Sequence, residues 1–393
     1  MLTVNSPALR RLLIRSSSRE QVETQILPSA RMMSLDVFRG ITIAAMLLVN
    51  HPGHYTVMYA PLQHAEWHGW TPTDLIFPFF LFIVGVALIF SFRKQLEGEA
   101  GRGQILTRAA KRALILIGLG LLLASFPWWR LHLSTLRIPG VLQRIGLAYL
   151  AATPIVLWLG VWGQAIVAAA LLLGYWALLS WVPVPTGGVW QPGQDLGAFI
   201  DRAVFGSNHL WPGSWDPEGL LSTFPAVATV LLGALTGHWL NSNRSTTRKT
   251  IGMFAAGAAG IALGALWGEV FPINKNLWTS SFTIFTAGIA LILLAGCYWL
   301  VDVKGCRRWA YPFVILGVNA ITVYMLSELA DKMLGRISIH SLGIRSLRNV
   351  LFGHIFASWL SPQNASLAFA IAYALVWLGL MALLYKKDIR VHA

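Results

Sequence analysis

Cysteine is almost absent: the 393 residues hold two, Cys297 in an apolar run and Cys306 beside Lys304 and Arg307. Their spacing argues against both a disulfide framework and a cysteine-built metal site. Charge is scarce as well. Only 12% of positions are Asp, Glu, Lys or Arg, against 56% hydrophobic, and mean hydropathy is +0.61. That balance excludes an ordinary water-soluble globule and makes the bilayer the main solvent. The first thirty residues lack the apolar core of a signal peptide, so they read as a polar cytoplasmic tail. No short repeat is evident, and no HExxH pattern supports zinc.

What the chain does hold is a series of apolar runs, each of the roughly 20 residues that cross about 30 Å of hydrocarbon. We read an all-α, polytopic transmembrane helical bundle of about ten spans. They cover approximately Leu35–Val49, Asp74–Phe92, Ala110–Trp128, Val141–Leu159, Ala165–Trp181, Leu220–Leu240, Ile251–Val270, Leu277–Leu300, Trp309–Leu329 and Leu367–Tyr385. The domain expectation is a tail over 1–33 and one membrane domain over 34–393. The net charge of +14 collects in alternate loops, among them Arg93, Lys94, Arg102, Arg108, Arg244, Arg248, Lys249, Lys386 and Lys387. This positive-inside distribution puts both termini in the cytoplasm and makes nucleic-acid binding unnecessary.

Three connections on the opposite side are longer than a bundle needs, and long loops are where function concentrates. The first carries His51, His54, His64 and His68 between two apolar helices; imidazole exchanges protons readily near neutral pH. His64 precedes Glu66, Trp67 and Asp74 in a segment whose aromatics and prolines predict a packed loop able to fix an imidazole. The plainer alternative for any of the four is an interfacial histidine bonded to a carbonyl. Gly69 and Pro72 break the helix that a His64–His68 metal pair needs, so no metal is expected. The second connection, 182–219, ends WDPEG, whose Asp216 and Glu218 either cap the next helix or grip sugar hydroxyls. The third, 330–365, contains an amphipathic stretch near 347–360 suited to lying on the membrane. A short turn, FPINKNLW, presents Asn274, Lys275 and Asn276; a flanking lysine more commonly just anchors at the interface.

Inside the spans, Arg39, Asn50, Arg144 and Asn319 are polar where lipid burial is costly, so they face the bundle interior. Asn50 lies eleven residues beyond Arg39, about 16 Å along one helix. Asn319 is also compatible with plain helix-to-helix hydrogen bonding.

The blocks SLDVFRG with Asn50, HAEWHGWTPTDLIFPFFLFIVG, IPGVLQRIG, DPEGLLST, PINKNLW and GVNAITVY, in this order, resemble the heparan-α-glucosaminide N-acetyltransferases and their bacterial NagX-type relatives. The large lumenal N-terminal extension of that family has no counterpart here, which suggests a bacterial inner-membrane protein. The resemblance implies transfer of acetyl from cytosolic acetyl-CoA, through the membrane, to the amine of glucosamine or a terminal glucosamine. It carries catalytic positions onto His64 and Asn50 and suggests a homodimer in membrane lipid. Arg39 followed by Asn50 also echoes an R-x10-H pattern of other membrane acyltransferases, with asparagine in the histidine's place.

On chemical grounds a neutral His64 takes the amine's proton while Asn50 donates to the developing oxyanion, or His64 carries acetyl transiently. The phosphates of CoA suit arginine forks, assigned to Arg31 and Arg39, with Arg144 toward the buried acyl or pantetheine portion and Asn319 also counted among the cofactor-binding residues. Glu218, Asn274, Lys275 and Asn276 then line the acceptor side. The rival readings are a sugar or amino-sugar transporter without acyl transfer, and a membrane sensor that consumes nothing.

Overall fold

A computed structural model describes residues 32–185, 187–211, 214–337 and 346–389. Arg31, expected at the cofactor, lies outside the described residues. Within them the secondary structure is helical, with no strand. In chain order the helices are α1 Met33–Asn50, α2 Ile76–Glu97, α3 Arg102–Ala124, α4 Val141–Trp158 and α5 Val161–Trp181. Next come α6 Leu196–Phe205, α7 Thr223–Leu240, α8 Thr246–Gly268, α9 Ser280–Cys297, α10 Tyr311–Val318, α11 Ala320–Arg336, α12 Leu347–Leu351 and α13 Pro362–Lys386.

Eight of these, α1, α2, α4, α5, α7, α8, α9 and α13, are long and apolar enough to cross a membrane; α10 and α11 make a ninth if counted as one broken span. The third expected span, Ala110–Trp128, has no counterpart among these; it corresponds to α3, which starts at Arg102 and stops at Ala124. Its first half carries Arg102, Arg108, Lys111 and Arg112, so only its second half is uniformly apolar; charge at mid-membrane is what a spanning helix avoids. The expected continuous span Trp309–Leu329 is also different. It breaks at Asn319, where α10 and α11 meet at 80°, and α11 runs on to Arg336, shortening the loop expected from 330. The amphipathic stretch near 347–360 forms α12 and a π-helical turn, Phe352–Ala357.

Burial sorts the spans. The most enclosed are α2 and α7, while α5, α8 and α13 turn most of their surface outward, with large apolar side chains such as Trp162, Leu266 and Leu375 exposed. In lipid that exposure costs nothing, and helices then associate through close packing. Glycine makes the approach possible: a Cβ on Gly85 of α2 would sit 1.9 Å from Val230 O of α7, and one on Gly233 would sit 2.1 Å from Phe82 O. The same device joins α1 to α10, where a Cβ on Gly317 would lie 2.1 Å from Asp36 O. Leu81, Val230, Leu231, Trp278 and Phe282 fill the core beside this seam. Helices α8 and α9 begin at hydroxyl caps, Ser245 accepting from Arg248 N and Thr279 from Phe282 N.

Candidate active site

The loop after α1 is held in place by hydrogen bonds to three other segments. Gly53 N donates to Ser366 O (3.1 Å) and Gly69 N to Ile273 O (2.8 Å), while Trp67 Nε1 donates to Trp190 O (2.7 Å). Gly69 takes φ +94°, a conformation that side-chain-bearing residues rarely adopt; its amide is thereby turned toward the FPINKNLW segment. That one bond links two stretches about two hundred residues apart. The packed loop expected from the sequence is what forms.

The link has a chemical consequence. His64 Nδ1 lies 2.6 Å from Asp74 Oδ1, and Lys275 Nζ lies 3.0 Å from the same Nδ1 and 3.3 Å from Nε2. Asp74 is 1% exposed and His64 is 53% exposed. The carboxylate is fixed from its other oxygen, which accepts from Ala65 N (3.1 Å), Thr71 N (3.0 Å) and Thr71 Oγ1 (3.2 Å). Asp74 accepts only, so the short contact assigns a proton to Nδ1 and leaves Nε2 as the ring nitrogen the carboxylate does not engage. An exposed imidazole, oriented by a buried carboxylate, is the usual arrangement of a general base. Lys275 lies 3.5 Å from Asp74 Oδ1; burial pulls its ammonium pKa down, against the attraction of Asp74 and Glu218.

The four histidines separate cleanly. His68 Nδ1 is 3.3 Å from Asn274 Nδ2, and burial lowers its pKa. His54 contacts Thr56 at the surface (2.9 Å). His51 is 1% exposed, packs against the Tyr373 ring at 4.6 Å, and has no hydrogen-bond partner on either ring nitrogen among the described residues. Desolvation, with Arg348 second, depresses its pKa to about 3. Glu328 and Asp331 stand 3.9 Å from its two nitrogens.

Of the other expected site residues, Asn274 is fully buried, accepts from Leu277 N (2.9 Å) and thereby shapes the turn that presents Lys275. Asn276 is partly exposed in the same turn. Glu218 receives Arg137 Nη2 at 2.5 Å, while Arg137 grips Asp216 in a fork of 2.8 and 2.7 Å. Both carboxylates are therefore clamped by a guanidinium, and the cap of α7 is Ser222. Glu218 also lies within electrostatic reach of Lys275, Arg144 and Tyr324, which joins it to the His64 cluster.

Arg144, 1% exposed, donates to Gly219 O (3.0 Å) and to Ser222 Oγ and lies 5.2 Å above the Trp278 ring. Its Nε and Nη1 have no partner among the described residues. Its neighbours are thus the residues around Glu218. Asn50 donates to Glu328 Oε1 (3.2 Å), not to His64. Arg39 donates to Asp36 Oδ1 (3.2 Å) and to Gly317 O (3.3 Å), two residues before Asn319 at the helix break. Those two residues therefore share a neighbourhood, some 16 Å along α1 from Asn50. Among the described residues no group of three or more His, Cys, Asp or Glu is placed to hold a metal.

Reading the sequence missed Asp74, Arg137 and Glu328 as site residues. Asp74 had the one usable signal: TPTD opens an apolar helix, and a carboxylate there is ordinarily a cap. It does close a capping box with Thr71, while its other oxygen holds His64.

A family model described as "Heparan-alpha-glucosaminide N-acetyltransferase, catalytic" matches residues 31–267. That stretch contains Asn50, His64, Asp74, Arg144 and Glu218 and stops short of Lys275 and Asn319. The chain is 30% identical over 288 residues to the heparan-alpha-glucosaminide N-acetyltransferase of Mus musculus, covering 61% of this chain and 43% of that protein. Against the protein of the same name from Homo sapiens it is 30% identical over 274 residues, covering 58% and 41%. The match thus spans about two fifths of the length of these curated relatives.

Proposed function

The chain belongs to the heparan-α-glucosaminide N-acetyltransferase catalytic family, and on that footing we propose that it transfers acetyl from acetyl-CoA to the amine of glucosamine or a terminal glucosamine. The observation that carries this reading is the Asp74–His64–Lys275 arrangement. Lys275 Nζ lies 3.0 Å from His64 Nδ1 and 3.3 Å from Nε2, so a primary amine already rests against an imidazole whose Nδ1 is held by Asp74, within the range over which a base takes a proton.

In the reaction, Asp74 keeps the proton on Nδ1 and His64 Nε2 takes a proton from the acceptor ammonium. The freed amine attacks the thioester carbonyl and the C–N bond forms; as the C–S bond breaks, the nitrogen gives its second proton to the departing sulfur, CoA leaves as the thiol, and His64 returns its proton to solvent. Lys275 must yield its place beside Nε2 to the acceptor and move toward Asp74 and Glu218. One Asn50 N–H is engaged by Glu328; the second is the donor we assign to the oxyanion. The alternative route, in which Nε2 itself accepts acetyl before the amine arrives, uses the same tautomer.

For the donor, Arg39 and Asn319 are assigned to acetyl-CoA. Their shared position at the α10–α11 break supports this, because broken helices expose backbone polar groups inside a membrane only where a cavity or protein receives them. Arg31 completes that set by sequence, and Arg144 is the buried cation nearest the acceptor residues Glu218, Asn274, Lys275 and Asn276. The test is to supply purified protein in nanodiscs with acetyl-CoA and glucosamine and to follow N-acetylglucosamine by mass spectrometry. Accumulation of product with equimolar free CoA thiol supports the reading. A broken span is also a transporter feature, so passage of unmodified glucosamine into proteoliposomes with no acetylated product would replace it.

A further inference from the structure

Helices α7, α8 and α9 enclose a partly open apolar cavity of about 440 Å³, lined by residues including Leu235, Trp239, Ala256, Gly260, Ile284 and Leu291. Its origin is in the packing. Helix α8 is locked onto α9 by glycines, a Cβ on Gly288 lying 2.6 Å from Ile261 N, while α7 diverges from α8 beyond their short connection. At the connected end, Trp239 closes the wedge against Gly252, where a Cβ would meet the indole at 2.4 Å, and Trp239 Nε1 donates to Lys249 O (3.1 Å).

That end is strongly basic. The Arg244 guanidinium sits 4.6 Å over the Trp239 ring that walls the cavity, and Arg248 and Lys249 follow in the first turn of α8. The stretch 240–250 contains no acidic residue. Nearby Arg93, which also bonds Asn241, has Glu97 as its own counter-ion, so Arg244, Arg248 and Lys249 remain to attract an anion from outside. An apolar slot between spanning helices, continuous through one indole with Arg244 and adjoining the helix turn that carries Arg248 and Lys249, matches the two halves of a membrane anion.

We propose that this cavity binds one anionic phospholipid, with an acyl chain between α7, α8 and α9 and the phosphate against Arg244, Arg248 and Lys249. Neither acetyl transfer nor the His64 site enters this argument, so the two proposals fail independently. The test is native mass spectrometry of the full chain, purified in detergent and titrated with phosphatidylglycerol or phosphatidylcholine. One phosphatidylglycerol should be retained in preference to phosphatidylcholine. The triple variant Arg244→Gln, Arg248→Gln, Lys249→Gln, confined to polar positions at the helix end, should abolish the preference, at about fivefold per cation. Ala256→Phe should fill the slot and weaken both lipids. Equal retention of the two lipids, or a preference untouched by the triple variant, overturns the proposal. So does Ala256→Phe that alters a dimer's mass while leaving lipid retention intact, since the face then receives a second copy of the chain.

Discussion

Replacing Asp74 by asparagine removes one charge and almost no volume, and its effect can be worked out from the five groups around the carboxylate. Oδ1 accepts from His64 (2.6 Å) and lies near Lys275; Oδ2 accepts from two backbone amides and the Thr71 hydroxyl. An amide has one acceptor and one donor end. With its NH2 toward the loop, two backbone donors lose their acceptor, at about 1–3 kcal/mol each for buried groups. The favoured orientation therefore turns the NH2 toward His64, whose Nδ1 must then accept, moving the ring proton to Nε2. The base disappears while the loop stays folded. A positioned general base contributes roughly 10²- to 10⁴-fold, or about 2.7–5.4 kcal/mol of barrier at 1.36 kcal/mol per decade. Asp74→Asn should lower kcat for N-acetylglucosamine formation by that factor and leave acetyl-CoA affinity within about twofold of wild type, because an interaction made only in the transition state is lost from kcat and not from binding. An asparagine variant that keeps more than about a tenth of wild-type kcat would refute the orientation argument.

Other expectations follow from single contacts. His51 is buried and neutral with a pKa near 3, so the stability that depends on its neutrality is complete above pH 6.5 and is lost as pH falls from 6.5 toward 3. By pH 5 the loss is about 2 kcal/mol at 1.36 kcal/mol per pH unit, and His51→Gln should flatten the fall in Tm between pH 7 and pH 5. Arg144→Met exchanges a buried guanidinium, two of whose nitrogens have no partner among the described residues, for an apolar chain, so the desolvation relieved offsets the bonds lost to Gly219 O and Ser222 Oγ. Its Tm should hold within a few degrees while acetyl transfer drops at least about tenfold, one lost ligand contact being worth about 1.4 kcal/mol; equal loss of both would make Arg144 purely structural. Gly317→Leu drives a side chain into the Asp36 carbonyl and should abolish a monodisperse peak in size-exclusion chromatography, whereas Gly335→Leu, which meets open space, should not.

The spans could be read because a bilayer demands long apolar runs, and α2, α7 and α9 show them plainly. The misjudged elements are those where local composition conflicts with length. Helix α3 is long enough but half charged, and α10–α11 is apolar enough but interrupted by a single residue, Asn319. Periodicity carries no mark of an 80° bend. In the site, His64 and Lys275 were each legible as polar residues beside spans, but their meeting depends on the Gly69–Ile273 hydrogen bond between distant segments. Asp74 was hidden by its ordinary role as a helix-start acid. Arg137 was hidden because an arginine near a span end usually reads as interfacial. Asn50 was expected beside His64, and its bond to Glu328 involves an acid at the very end of the expected span Trp309–Leu329, which apolar patterning does not single out.

His64→Ala in nanodiscs, assayed for N-acetylglucosamine from acetyl-CoA and glucosamine alongside a direct measurement of acetyl-CoA binding, isolates the imidazole's part in acetyl transfer. Product formation should fall to background with binding retained, because the Arg39 and Asn319 region is untouched. Product at the wild-type rate would contradict the account, whatever the fate of the remaining residues.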